Sequence, residues 1–369
     1  MIPFRTIISI FVVLLFGSHY LAYISTVHFF AITNNMHKKV LAATLAFLSV
    51  SFILSSFLIS RQENYFTRMA YLLSGYWLGL LVNFLLAIAA VWLFISVYRL
   101  LGFQPKAAML SLICFGLAFM YSVYGIWNAG HPQIKNITVT IPNLPQQWKN
   151  KVIVQLSDVH MGHVYRAEFL QRIVAKVNAA HPDMVVITGD FFDGMDGNLQ
   201  QLVQPLNDLA PEKGIFFITG NHENFLGTDQ VFAAFQNTGV QILQDQVVDV
   251  DGLKVTGISY PRRGENKDVV GVLHSLEKDF AGRPNLFLFH APTHIDEFKN
   301  SGVNLQLSGH THRGQIFPFR YITDLVYKGY DYGLHRMGNY TLYTTDGAGT
   351  WGPAMRTGNT PEIVVVTLQ

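Results

Sequence analysis

Hydrophobic positions follow two different rhythms along this chain. Residues 7–33, 40–60, 69–98 and 106–127 are near-continuous apolar runs, each at or above the roughly 20 residues a helix needs to cross a bilayer core of about 30 Å. Short polar breaks at 34–39, 61–64 and 99–105 separate them. The pattern predicts four membrane-spanning helices joined by short loops. A secretory signal would account for the first run alone, with Arg5 ahead of it and Gly17-Ser18 resembling a cleavage site. That run continues well past such a site and three more follow, so an uncleaved span is expected.

Beyond residue 127 the rhythm shortens. His131-Pro132-Gln133 is polar, 134–141 alternates apolar and polar residues, and Pro142-Asn143-Leu144-Pro145 follows. This predicts a linker and a first strand over 128–150, with one large domain over 151–369. Inside that domain, short apolar runs stop repeatedly at a polar cluster. Residues 152–156 stop at Ser157-Asp158-Val159-His160, 184–188 at Gly189-Asp190-Phe191-Phe192-Asp193, and 215–219 at Gly220-Asn221-His222-Glu223. Residues 286–289 stop at His290, and 305–308 at Gly309-His310-Thr311-His312. Segments of helical period lie between several of them, at 167–179, 199–209 and 229–236. Buried strands alternating with helices predict an α/β layered domain. Ligands in such folds gather beyond the carboxyl ends of the strands, where every one of these clusters falls.

Charge sharpens the division. Half of the 369 residues are hydrophobic and only 14% charged, too apolar for one ordinary soluble domain. Residues 1–127 hold seven Lys/Arg and one acid, Glu63, leaving 19 basic and 23 acidic residues for the rest. Orientation is not set by the basic residues: Arg5, Arg61, Arg68 and Lys135 fall on one predicted face and Lys38, Lys39, Arg99 and Lys106 on the other. The acidic balance of the second part offers a long polyanion no basic track, so no nucleic-acid partner is expected. The single cysteine, Cys114, lies in the fourth run and excludes a disulfide framework and a thiolate metal site. A transporter would place ionisable groups within the spans, where only His19 and His28 are candidates.

Singly, an Asp-x-His or a lone Gly-Asp is weak. Together, five strand ends in one domain present oxygen and imidazole donors suited to divalent Mn, Fe or Zn. Burying that many polar groups without partners would cost several kcal/mol apiece.

The ordered set Asp158-x-His160, Gly189-Asp190-x-x-Asp193, Gly220-Asn221-His222-Glu223, His290 and Gly309-His310-x-His312 resembles the five blocks of the calcineurin-like metallophosphoesterases. The resemblance spans 152–312 and implies two facing mixed β-sheets flanked by helices, with two divalent metal ions at the strand ends. It implies Asp158, His160 and His312 on one ion, Asn221, His290 and His310 on the other, and Asp190 bridging both. His222 would be the proton donor. His294, four residues after His290, competes for the same role. Glu223 stands where many members carry Asp, one methylene shorter, which leaves open whether it orients His222. The string Gly309 to Gln315, and Gly347-Ala348-Gly349-Thr350-Trp351-Gly352-Pro353 with Arg356 and Pro361-Glu362-Ile363, resemble a membrane-associated branch. That branch includes enzymes cleaving the pyrophosphate of UDP-diacylglucosamine.

Four further positions carry two readings each. Asp193 is either a partner of a ligand imidazole or a solvated cap. Arg313 and Arg356 either contact substrate phosphate through their guanidinium groups or are bystanders. The aromatic stretch 316–332, with Arg320 and Lys328, is either a β-hairpin or core strand pair, or an interfacial loop touching lipid. The expected activity is metal-dependent hydrolysis of a phosphodiester or pyrophosphate on a lipid-linked substrate. The alternative is a membrane receptor or scaffold that binds a phosphorylated ligand through the same fold.

Overall fold

A computed structural model describes residues 4–194, 198–262 and 264–369. They fall into two compact units, Met1–Trp127 with Gly352–Thr357, and Asn128–Trp351 with Gly358–Gln369.

The first unit is built on α1 (Phe4–Phe29), α2 (Asn35–Arg61), α3 (Tyr65–Leu100) and α4 (Ala107–Ala129). All four are long and apolar enough to cross a membrane. The starts of α2 and α3 are set by caps rather than by the first apolar residue. The Asn34 side-chain Oδ1 accepts from the amides of Met36 and His37, and Asn64 forms a capping box with Thr67 at the head of α3. Buried polar pairs join the helices, as apolar surroundings require. Ser55 and Ser74 hydroxyls lie 2.7 Å apart, Trp92 Nε1 donates to Ser25 Oγ at 3.0 Å, and Asn83 Nδ2 donates to Ser122 Oγ at 2.8 Å. His19 lies 2.7 Å from the Leu15 carbonyl through Nδ1 and accepts from Trp77 through Nε2. His28 stacks on Trp92. Both histidines are packing groups.

Gly352–Thr357 belongs to this helical unit although it lies far along the chain, inside the segment 151–369 that the sequence reads as one domain. Two glycines make room for it. A Cβ at Gly79 of α3 would stand 2.8 Å from the Met355 sulfur, and one at Gly125 of α4 would stand 2.8 Å from Met355 Cγ. Asn83 donates to the Met355 sulfur, the Arg356 amide donates to the Gly125 carbonyl at 2.9 Å, and Tyr121 donates to the Thr357 carbonyl.

Among the described residues the second unit contains twelve strands: β1 (Gln133–Val139), β2 (Val152–Leu156), β3 (Met184–Thr188), β4 (Ile215–Ile218), β5 (Val240–Ile242), β6 (Gln246–Val250), β7 (Leu253–Gly257), β8 (Asn285–Leu288), β9 (Leu305–Ser308), β10 (Gly333–Met337), β11 (Tyr340–Thr344) and β12 (Glu362–Leu368). They form two mixed six-stranded sheets, ordered β1-β12-β2-β3-β4-β5 and β10-β11-β9-β8-β7-β6. Alternation along the strands assigns each face its partner. Met184, Val186, Phe216 and Ile218 of the first sheet pack with Leu286, Leu288, Leu305 and Leu307 of the second. The opposite residues of the first sheet, Val185, Ile187 and Phe217, pack with Leu170, Ile173 and Val177 of α5 (Ala167–Ala179). Short helices α6 (Leu199–Val203), α7 (Glu223–Leu226) and α8 (Thr228–Phe235) follow β3 and β4. On the outer face of the second sheet, Phe287 and Leu342 pack with Leu273 and Phe280 of α9 (Val269–Phe280) and Phe298 of α10 (Ile295–Asn300). The result is helices, sheet, sheet, helices, the two-sheet α/β architecture expected from the sequence.

The stretch 316–332 forms neither a hairpin nor core strands. A 3₁₀ turn at His312–Gly314 leads into α11 (Arg320–Val326), none of whose residues is buried.

Candidate metal centre

The polar clusters all stand just past the ends of β2, β3, β4, β8 and β9. Asp158, His160, Asp190, His310 and His312 have φ between 47° and 73°, left-handed backbone that costs about 1–3 kcal/mol per residue. Asp and His tolerate it better than branched side chains do. Such turns let each chain break sharply from its strand. Glycines supply the clearance. A Cβ at Gly189 would lie 2.7 Å from His290 Nδ1, and one at Gly309 would overlap Asp158 Oδ2 and Ser157 Oγ.

Among the described residues three groups of ligand-capable atoms result: Asp158, His160 and His312; Asp190, His290 and His310; and His160, Asp193 and His222. In the first, His160 Nε2 is 3.0 Å from His312 Nε2, and His312 Nε2 is 3.4 Å from Asp158 Oδ1. In the second, His290 Nε2 is 3.1 Å from Asp190 Oδ2, 3.2 Å from Asn221 Oδ1 and 3.1 Å from His310 Nδ1. The tautomers follow from the outer partners. His290 Nδ1–H donates to the Thr188 carbonyl at 2.8 Å, which turns the Nε2 lone pair toward the group. Asp158 accepts from the His310 amide and the Ser157 hydroxyl, and Asp190 from the His222 amide.

These donors fit divalent cations. Ligand atoms about 2.1 Å from one ion stand about 3.0–3.4 Å from each other in octahedral to tetrahedral arrangements, and the five spacings above run from 3.0 to 3.4 Å. His290 Nε2 faces three acceptors and can supply at most one proton, whereas a cation satisfies all of them. The protein electrostatics also calls for positive charge. Burial pushes the Asp158 carboxyl up. Burial acts on Asp190 too, but His290 outweighs it and holds that carboxyl well below the usual range. Burial opposes a charge on His290, yet Asp190 raises it to about 9. Burial holds His310 down to about 3, with His290 adding to the effect.

Residues 151–314 match the family described as calcineurin-like phosphoesterase. A metallophosphoesterase of Campylobacter jejuni is 32% identical over 85% of this chain and 85% of its own length. The chain belongs to the calcineurin-like phosphoesterase family. One from Helicobacter pylori is 33% identical over 61% of this chain and 60% of its own length. A transmembrane protein with metallophosphoesterase domain from Bos taurus is 29% identical over 90% of this chain and 80% of its own.

Within this phosphoesterase, His222 is buried, 4.6 Å ring to ring from His160, with Nδ1–H donating to the Asp193 carbonyl at 2.9 Å. Burial holds its proton affinity below the usual histidine value. The Asp193 carboxylate lies 3.3 Å from His160 Nδ1 and is itself buried, so the solvated-cap reading does not apply. Burial pushes that carboxyl up to about 7. The structure brings His290 into the group, while His294 packs against Phe289 and Phe298.

Glu223 does not orient His222. It is fully buried and accepts from three backbone amides, Asp190, Phe192 and Gly220, at 2.9, 3.1 and 2.7 Å. Its extra methylene lets one carboxylate tie the end of β3 to the end of β4. Burial and the neighbouring Asp190 raise it to about 7. Arg313 lies over the Tyr332 ring at 4.2 Å, beside a cavity lined by Asp346 and Glu362. Arg356 is fully buried in Gly352–Thr357 of the helical unit. Neither arginine belongs to the metal groups. Sequence reasoning missed the aromatic rim. Trp351 and Phe225 are exposed within 6.2 and 5.3 Å of the His222 ring. Tyr260 and Tyr327 flank His310 at 5.7 and 6.1 Å. Their only signal was aromatic residues close to a block.

Proposed function

We propose that this chain is a two-metal phosphohydrolase that cleaves a phosphodiester or pyrophosphate bond of a lipid-linked substrate. The observation that carries the reading is the spacing of the donor atoms in two groups, with His222 beside them. Asp158, His160 and His312 would hold one cation, and Asn221, His290 and His310 the other. Asp190 would serve both. Manganese, iron and zinc all suit this donor set. Divalent cations, when bound, polarise phosphoryl oxygens and make water nucleophilic near neutral pH.

The remaining steps belong to the protein. His222 is pinned through Nδ1–H to the Asp193 carbonyl, so Nε2 is the ring nitrogen left to exchange a proton, and it would donate to the departing ester oxygen when the ring is the imidazolium. Asp193 steadies His160 from behind, and Glu223 holds the turns that carry Asp190 and Asn221 at a fixed separation.

Two features support a lipid-linked substrate. Four helices are long and apolar enough to cross a membrane. Exposed apolar side chains also stand near the site: Phe225 and Trp351 beside His222, and Ile322, Leu325 (80% exposed) and Val326 on α11, which ends at Tyr327, edge-on to His310.

The test compares bis(4-nitrophenyl) phosphate in solution with a diacyl phosphodiester in mixed micelles, with and without added Mn²⁺. Metal-dependent turnover of both is expected, and Leu325→Glu should slow only the micellar substrate. Undiminished turnover by a chelator-treated double variant, Asp190→Ala with Asn221→Ala, sinks the hydrolase reading. Equal effects of Leu325→Glu on both substrates sink the lipid part alone.

A further inference from the structure

Two tyrosines from separate parts of the chain, neither in the five blocks, meet at His310. Tyr260 follows β7, and its ring centroid lies 5.5 Å from His290 and 5.7 Å from His310. Tyr327 ends α11 and stands edge-on to His310 at 6.1 Å. Both are half-buried. Among the described residues neither phenol hydroxyl has a hydrogen-bond partner.

Elsewhere in this unit, well-buried tyrosine hydroxyls are satisfied, as is usual. Tyr340 donates to Gln306, Tyr343 to Glu362 and Tyr165 to the Ala129 carbonyl. Tyr260 and Tyr327 instead leave their hydroxyls without a protein partner among the described residues, against the imidazoles of one metal group. Tyr260 packs one side of its ring on Phe289 and also lines a cleft of about 160 Å³ with Thr219, Asn224 and Arg262.

A phenol keeps its proton near neutral pH, so both hydroxyls can act as donors. A neutral donor suits a phosphoryl oxygen, which accepts strongly and has no proton to give.

We propose that Tyr260 and Tyr327 grip the substrate by donating hydrogen bonds to a phosphoryl oxygen from the His290 and His310 side. The proposal rests on the reading of the site as a metal-dependent phosphohydrolase. It separates two roles: the aspartates and imidazoles hold cations, and the phenols hold the phosphate. The competing role is packing, in which the rings merely wall His290 and His310.

Tyr→Phe keeps the ring and removes only the oxygen, so it tells the two apart. The full-length protein in detergent is loaded with Mn²⁺. Inorganic phosphate affinity is measured by titration calorimetry, and KM and kcat with bis(4-nitrophenyl) phosphate. Each of Tyr260→Phe and Tyr327→Phe is expected to weaken phosphate binding and raise KM by about tenfold. Turnover number should stay within about twofold, and bound metal by elemental analysis should not change. Unaltered phosphate affinity in both variants overturns the proposal, as does loss of metal from either. A parent protein that binds phosphate but does not turn over the diester overturns the hydrolase reading alone, and the calorimetry still decides the tyrosines. A parent that does neither overturns both.

Discussion

Strands β2, β3 and β4 of the first sheet end in Asp158, Asp190 and Asn221, with His160 and His222 beside them, whereas β8 and β9 of the second end only in imidazoles, His290, His310 and His312. The first sheet brings the carboxylates and the second brings imidazole alone. Two of the three groups mix the two: Asp158 and His160 with His312, and Asp190 with His290 and His310, while the third, His160, Asp193 and His222, lies on the first sheet. The support differs as well. Carboxylates on the first sheet draw on several backbone amides and a buried Glu223, while His290 needs a single carbonyl, Thr188. Charge is costlier to bury than imidazole, so the acidic side carries the heavier scaffolding.

The largest effect is expected on the acidic side. Asp190→Ala should lower turnover of bis(4-nitrophenyl) phosphate by about a thousandfold, more than His312→Ala does, and elemental analysis should show metal lost with it. Equal losses in the two variants would break the comparison. Next in size is metal removal. Cations bound across both sheets stabilise the folded unit by about 2.7 kcal/mol at a hundredfold excess over Kd. Chelation should therefore lower the melting midpoint of this unit by about 5–10 °C. A midpoint indifferent to chelator would mean the sheets do not share the cations.

Glu223→Gln probes the scaffold without touching a ligand. It replaces a carboxylate that serves three amides by a group with one acceptor oxygen, and a loss of about 1–3 kcal/mol is expected. Thermal unfolding should read it as a midpoint lower by about 3–8 °C. Smallest per step is the pH dependence of metal affinity. His290 in the metal-free protein is raised to about 9 by Asp190, so below that pH a cation must displace its proton. Affinity should rise about tenfold per pH unit between 6 and 8, as measured by competition with a chromogenic chelator. A flat profile would mean that His290 binds no cation.

Most of the first sheet's contribution was legible in the sequence, because each ligand directly follows its own strand. The predicted run 152–156 is β2, and 184–188 is β3, residue for residue. The choice between His290 and His294 was not local. It depends on β8 stopping at Leu288 and on His294 turning left-handed at the head of α10. The length of Glu223 was visible, but its partners are amides brought together only when β3 and β4 pair. Tyr260 and Tyr327 lie 67 residues apart and meet only through the tertiary fold. One of the two readings of the stretch 316–332, a hairpin or core strand pair, came from the preference of aromatic residues for pleated, half-buried surfaces. Here Tyr321 lies on the helix α11 and the other aromatic residues flank it. The apolar runs located the membrane helices, but their ends lie where Asn34 and Asn64 cap them, since capping is chemistry of the polar breaks.

The place of Gly352–Thr357 among the helices bears on anyone wishing to handle the phosphoesterase as a water-soluble enzyme. Severing the chain at Asn128 would strip Met355 of the hollows over Gly79 and Gly125 and leave an apolar tongue on an otherwise soluble particle. A workable soluble version therefore needs a second edit, replacing those six residues with a short polar turn between Trp351 and Gly358.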